Sequence, residues 1–237
     1  MAKKSRTPPP PRRVQAPKKR TEPRRKAPAN RRKLLAVAAA AALVVAAAGG
    51  IAYAVSRGGG ASEAGPCVRQ TFKAQGQSHV PPAELPKNFE YNSYPPTSGP
   101  HHPQPLVWGE YTDPVPQNQL VHNLEHGGLA VQYGKDVSAA TVEELTAWYR
   151  STDPRGIILA PLLDNEKAAP LAKKIVLGAW TAERQNADDP SSEISKQEGH
   201  LATCSAFDED AFDDFVDDYR AKGPELFPLE QLEPGSP

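Results

Sequence analysis

The chain has 237 residues, enough for one domain of ordinary size with extensions, and its 28 Lys/Arg balance 28 Asp/Glu, so it carries no net charge. Two cysteines with no C-x-x-C pair exclude a zinc finger, and a lone methionine, Met1, excludes a Met-rich Cu(I) carrier. The neutrality is deceptive: residues 1–33 hold fourteen bases and one acid, Glu22, while the remainder holds fourteen bases and 27 acids.

Residues 1–33 are Pro-rich and basic without apolar periodicity, a composition that cannot bury enough surface to fold. The segment is expected to be a disordered cytoplasmic tail that touches anionic lipid headgroups. It has no interleaved aromatics and no folded reader beside it, so nucleic acid is not an expected partner. Leu34 to Val55 then runs 22 residues without a charge. As a helix it would be about 33 Å long, sufficient to cross roughly 30 Å of hydrocarbon. Arg31-Arg32-Lys33 before it predicts a single-pass cell-membrane protein with its N-terminus in the cytoplasm and the rest outside. A cleaved signal peptide is the alternative, since Ala52-Tyr53-Ala54 has the form of a cleavage site. Residues 56–65 are a Gly/Ser-type linker, 66–226 the extracytoplasmic domain, and 227–237 a disordered C-terminal tail.

Cys67 and Cys204 both lie in the exported part, where disulfides persist. Being only two, they can form a single bridge; two buried thiols are the alternative. Residues 66–120 are irregular, because proline lacks a donor and keeps the residue before it from helical angles. Phe89, Tyr91, Tyr94, Trp108 and Tyr111 make this a wrapping loop anchored on a core. A short helix from about Asn118 to His126 is ended by Gly127-Gly128. LAVQY (129–133), GIILAP (156–161) and KKIVLGAWTAE (173–183) read as strands, the last of them central. Ser138 to Arg150 reads as a helix with a capping box at Thr141–Glu144 and an apolar face of Val142, Leu145, Trp148 and Tyr149. Gln185 to Thr203 is polar and reads as an exposed loop. Asp208 to Lys222 is the plainest helix, with Phe212, Phe215, Val216 and Tyr219 as its stripe and its acids turned to solvent. The fold expected is α+β: a small mixed or antiparallel sheet of three or so strands, two to three helices and the long Pro-rich loop, preceded by one transmembrane helix.

Five of the six histidines fall between positions 79 and 126. His122 and His126 are four apart, so a helix places both imidazoles on one face, the geometry of a two-ligand half-site. His122, Glu125 and His126 also spell H-x-x-E-H, the inverted zinc-peptidase pattern. That enzyme needs the helix to continue and a third ligand to arrive from a second helix. Here Gly127-Gly128 cuts the helix off and a strand follows at once, which excludes the peptidase scaffold.

The succession Gly76-x-x-His79-Val80, PPTSGPHHP (95–103), Trp108-Gly109-x-Tyr111, Pro114-Val115, HNLEHG (122–127) and the closing FDEDAFDDFVDDYRAKGPE (207–225) resembles the bacterial domain-of-unknown-function family 3105. The likeness spans roughly residues 66–226, and PPTSGPH and HNLEHG are its specific marks. It implies a membrane-anchored protein of a family without an assigned activity. It also assigns to a shared pattern His79, Pro95, Pro96, Gly99, Pro100, His101, His122, Glu125, His126 and Gly127. Some members carry a cysteine where this chain has Trp108, so no thiolate ligand is expected there.

The leading expectation is an imidazole-rich Zn²⁺ or Cu²⁺ site made by His79, His101, His122 and His126, with Glu125 as a ligand or as a partner orienting a ring. The loop residues Pro95, Pro96, Ser98, Gly99 and Trp108 would surround it. Two alternatives stay open. One is a structural histidine network in a surface domain that binds an extracytoplasmic protein or small ligand, with an exposed aromatic ridge at Pro95–Trp108. The other is a metal- or His/Glu-dependent hydrolase, which leaves enzymatic activity uncertain.

Overall fold

The computed structural model describes residues 62–81, 84 and 89–237. The expected basic tail, the membrane segment Leu34–Val55 and the linker up to residue 61 lie outside them. Among the described residues no helix is long and apolar enough to cross a membrane.

The domain is α+β, as expected, but its sheet is larger. Seven strands pair: β1 (Ser62–Ala64), β2 (Cys67–Lys73), β3 (Gly109–Glu110), β4 (Leu129–Tyr133), β5 (Ile157–Pro161), β6 (Ile175–Arg184) and β7 (Ile194–Cys204). They lie in the order β1-β2-β7-β6-β4-β5-β3, antiparallel from β1 to β4 and parallel at the β4-β5-β3 edge. Helices α1 (Gln117–Glu125), α2 (Ala139–Ser151) and α3 (Glu209–Tyr219) fall where the apolar periodicity put them. The cap of α2 lies earlier than expected. Ser138 Oγ, not Thr141, accepts from the first turn, at the Thr141 N–H.

Alternation along the strands sorts the core into two layers. Leu129, Val131, Ile157, Leu159, Ile175 and Leu177 face α2 and α3, meeting Leu145, Trp148, Phe212 and Phe215. Ala130, Ile158, Ala160 and Trp180 face the other way, toward α1 and Trp108. The Pro-rich loop lies on this second face, where Gly199 leaves the surface low. A Cβ on Gly199 would sit 2.0 Å from Thr97 Oγ1, so only glycine admits the buried loop tip.

Three expectations need correction. Gln185–Thr203 is not a loop: its second half is in β7, hydrogen-bonded between β2 and β6. Its N-terminal half is polar because it stands out as a hairpin with β6, and only the Gly199–Ala202 part is buried. Residues 66–120 are not irregular throughout, since β2 pairs along all seven of its residues with β7. The chain past 226 is not a loose tail. Leu232 is buried, and the Trp108 N–H donates to the Ser236 carbonyl at 2.8 Å. Cys67 and Cys204, opposite one another on β2 and β7, form the disulfide.

Candidate metal centre

Three separate pieces of chain meet at the end of α1. The helix supplies His122 and Glu125, with His126 as its C-cap. Gly127 then takes φ +86°, a conformation that L side chains rarely adopt, and turns the chain away into β4. His101 comes from the Pro-rich loop and His79 from the segment after β2. A parallel bridge joins these two: the Val80 N–H donates to the His101 carbonyl at 2.7 Å, and the His101 N–H to the Ser78 carbonyl at 2.9 Å. Asn123 clamps the loop to the helix, its amide donating to the Leu106 carbonyl at 2.9 Å and accepting from the Leu106 N–H at 2.8 Å.

The ring orientations follow from backbone carbonyls, which can only accept. His101 Nδ1 lies 2.7 Å from the Gly99 carbonyl, and His122 Nδ1 lies 2.8 Å from the His102 carbonyl. Each Nδ1 therefore carries a proton, and in the neutral ring this leaves Nε2 with a lone pair. A histidine so tied to a carbonyl has the tautomer of a metal ligand. His101 Nε2 then faces Glu125 Oε2 at 2.9 Å, with 0% and 1% of the two side chains exposed, and no hydrogen bond is aligned on that nitrogen. In that neutral form the two buried acceptors repel unless a proton or a metal ion lies between them. His79 Nε2 approaches the same oxygen at 3.0 Å, and Gln77 donates to Glu125 Oε1 at 3.1 Å.

One donor atom each from His79, His101, His122 and Glu125 lie within 4.8 Å of one another. Zinc–nitrogen and zinc–oxygen bonds of about 2.1 Å place neighbouring tetrahedral donors roughly 3.4 Å apart, so one ion fits if the 2.9 and 3.0 Å contacts to Glu125 widen slightly and any wider pair draws in. Burial pushes the Glu125 carboxyl up, but His101, Gln77 and His79 outweigh it and hold the group below the ordinary range, as an anion. Burial pushes His122 down, toward the neutral imidazole that a metal requires.

The expected ligands do not all converge. His126 belongs to a second group, with His122 and Glu225. Its Nε2 is 3.2 Å from Glu225 Oε2, its Nδ1 is buried without a partner, and burial lowers its pKa to about 4. Phe227 stacks on its ring at 3.9 Å. Glu225 and Gln77 were missed as site residues. Glu225 ends the closing segment of the family resemblance, whereas nothing local marks Gln77. The loop residues also depart from expectation. Pro95, Pro96, Ser98, Gly99 and Trp108 are buried, so they form no exposed aromatic ridge. Ser98 Oγ accepts from the Gln75 N–H at 3.2 Å, and Trp108 packs over Gly128.

Residues 83–231 match the family described as Protein of unknown function (DUF3105). The chain belongs to that family. The matched region includes His101, His122, Glu125, His126 and Glu225, but starts after His79. No curated protein and no solved structure matches the DUF3105 chain.

The sixth histidine, His200, lies apart on β7 in this DUF3105 domain. It stacks on Tyr219 at 4.2 Å, and its Nε2 is 2.7 Å from Thr181 Oγ1. Burial pushes its pKa down to about 4. In the unfolded chain the same ring titrates near 6.5. Between these values the unfolded state takes up a proton that the folded state refuses. The stability present above pH 6.5 is therefore lost as the pH falls toward 4, on the order of 3 kcal/mol for this group over the whole window. Urea melts in EDTA at about pH 7 and about pH 5 should show the loss. His200→Gln should shrink it, and an identical pH slope in that variant would exclude His200 as a source.

Proposed function

We propose that this DUF3105 protein is a membrane-anchored, extracytoplasmic metal-binding domain. It holds one Zn²⁺ or Cu²⁺ through His79, His101, His122 and Glu125. The observation that carries the assignment is the convergence of His79, His101 and His122 on the buried Glu125 carboxylate, with His101 Nε2 2.9 Å from its Oε2. Imidazole and carboxylate donors without thiolate suit Zn²⁺ or Cu²⁺ rather than Cu⁺. The disulfide and the charge asymmetry about Leu34–Val55 support a place outside the cytoplasm, tethered to the membrane, where an extracytoplasmic protein or small ligand is the expected partner.

The full chain, purified in detergent and dialysed against trace metals, should retain close to one Zn or Cu per molecule by elemental analysis. Cu²⁺ should also quench the buried Trp180, whose ring stands edge-on to His101 at 6.0 Å. A chain that stays metal-free, with a melting temperature indifferent to both ions, would overturn the proposal. For topology, external protease should digest residues 66–237 in intact cells and spare the basic tail; protection of both would overturn that part.

A further inference from the structure

Among the described residues the donors form two groups, and His122 belongs to both. Its Nδ1 is held by the His102 carbonyl, so only Nε2 can bind an ion, and one nitrogen cannot serve two ions at once. The His122 ring centroid is 4.6 Å from that of His79 and 4.6 Å from that of His126, placing it between the two groups. The second group is built by the backbone. Glu225 N–H donates to the Glu125 carbonyl at 3.0 Å and Ala221 N–H to the Gly127 carbonyl at 2.8 Å, which fixes the segment carrying Glu225 against the end of α1. There His126 Nε2 lies 3.2 Å from Glu225 Oε2, while its Nδ1 is buried without a hydrogen-bond partner.

We propose that the domain has two alternative seats for a single divalent ion. The inner seat is His79, His101, His122 and Glu125; the outer seat is His122, His126 and Glu225. The shared nitrogen makes them mutually exclusive, and His122 is the donor retained when the ion changes seat. This rests on the metal-binding assignment above and adds a second position to it. The outer seat has one imidazole fewer, and its carboxylate is 39% exposed against 1% for Glu125. It is the weaker of the two and the easier to reach from water.

The test is Zn²⁺ titration of the full chain by calorimetry, with elemental analysis at saturation. The wild type should bind one ion. His79→Ala/Glu125→Gln joins an exposed truncation to a change that keeps the Gln77 contact, and it leaves the inner seat two ligands. That variant should still bind one ion, about tenfold to a hundredfold more weakly, and adding Glu225→Gln should abolish the remainder. Equal affinities in the double and triple variants would overturn the second seat while leaving the first intact. Two ions on the wild type would overturn exclusivity, a result that needs no variant to fold. A wild type without any ion would overturn both readings.

Discussion

His122→Ala is expected to abolish metal binding, with affinity for Zn²⁺ falling by more than about a hundredfold. It is the one side chain common to both donor groups, so its loss leaves the inner group without its α1 imidazole and the outer group with only His126 and Glu225. The fold should survive. The substitution frees the His102 carbonyl of one hydrogen bond, a cost of about 1 kcal/mol, and leaves the α1 residues Leu120, Val121 and Leu124 in the core. His126→Ala offers the contrast. It removes a ring from the outer group only and should leave the affinity of the wild-type inner site in place. Elemental analysis of both variants beside a melting curve decides the point. An His122→Ala protein that retains one ion at wild-type affinity would sink the ligand assignment.

Loss of the disulfide carries the largest stability effect. The bridge closes a loop of 137 residues between β2 and β7, and removal of such a cross-link costs roughly 3–5 kcal/mol through the freed unfolded chain. For a domain of this size that lowers the melting temperature by about 10 °C. Cys67→Ala/Cys204→Ala is the appropriate variant, since both positions are buried among apolar neighbours and a hydroxyl there would lack a partner. A functional consequence follows along the chain. Strand β2 leads through Gln75 and Gln77 to His79, so fraying of β2 loosens the one exposed ligand of the inner group. Reduction should therefore weaken Zn²⁺ binding as well as lower the melting point. An oxidised and a reduced protein with the same melting temperature would show that the sheet ladder holds β2 unaided.

The elements that announced themselves locally are those whose own side chains bury them. α3 reads at once because Phe212, Phe215 and Val216 recur at helical spacing, and all three are in the core. β4, β5 and the first six residues of β6 read as strands because both faces are covered, so nearly all of their residues are apolar. β7 escaped because its stability comes from neighbours rather than composition. It is hydrogen-bonded on both sides, and the buried stretch contains Gly199 and His200 where alternation would demand large apolar residues. The glycine is there for Thr97, a residue a hundred positions away in a segment that itself reads as irregular.

The same division runs through the site. The amino-acid sequence alone determined that a helix ends at Gly127 with two imidazoles and a carboxylate on its last turn, because helical periodicity and a glycine stop are local properties. It also placed the two cysteines where only one bridge was available. Only the tertiary structure decided which donors share an ion. The His79–His101 bridge swings the loop onto Glu125, while the chain after α3 brings Glu225 to His126 and divides the expected four-histidine set in two. Those choices depend on backbone hydrogen bonds and on a low glycine floor under the loop, contacts between residues far apart in the chain that no local spacing encodes.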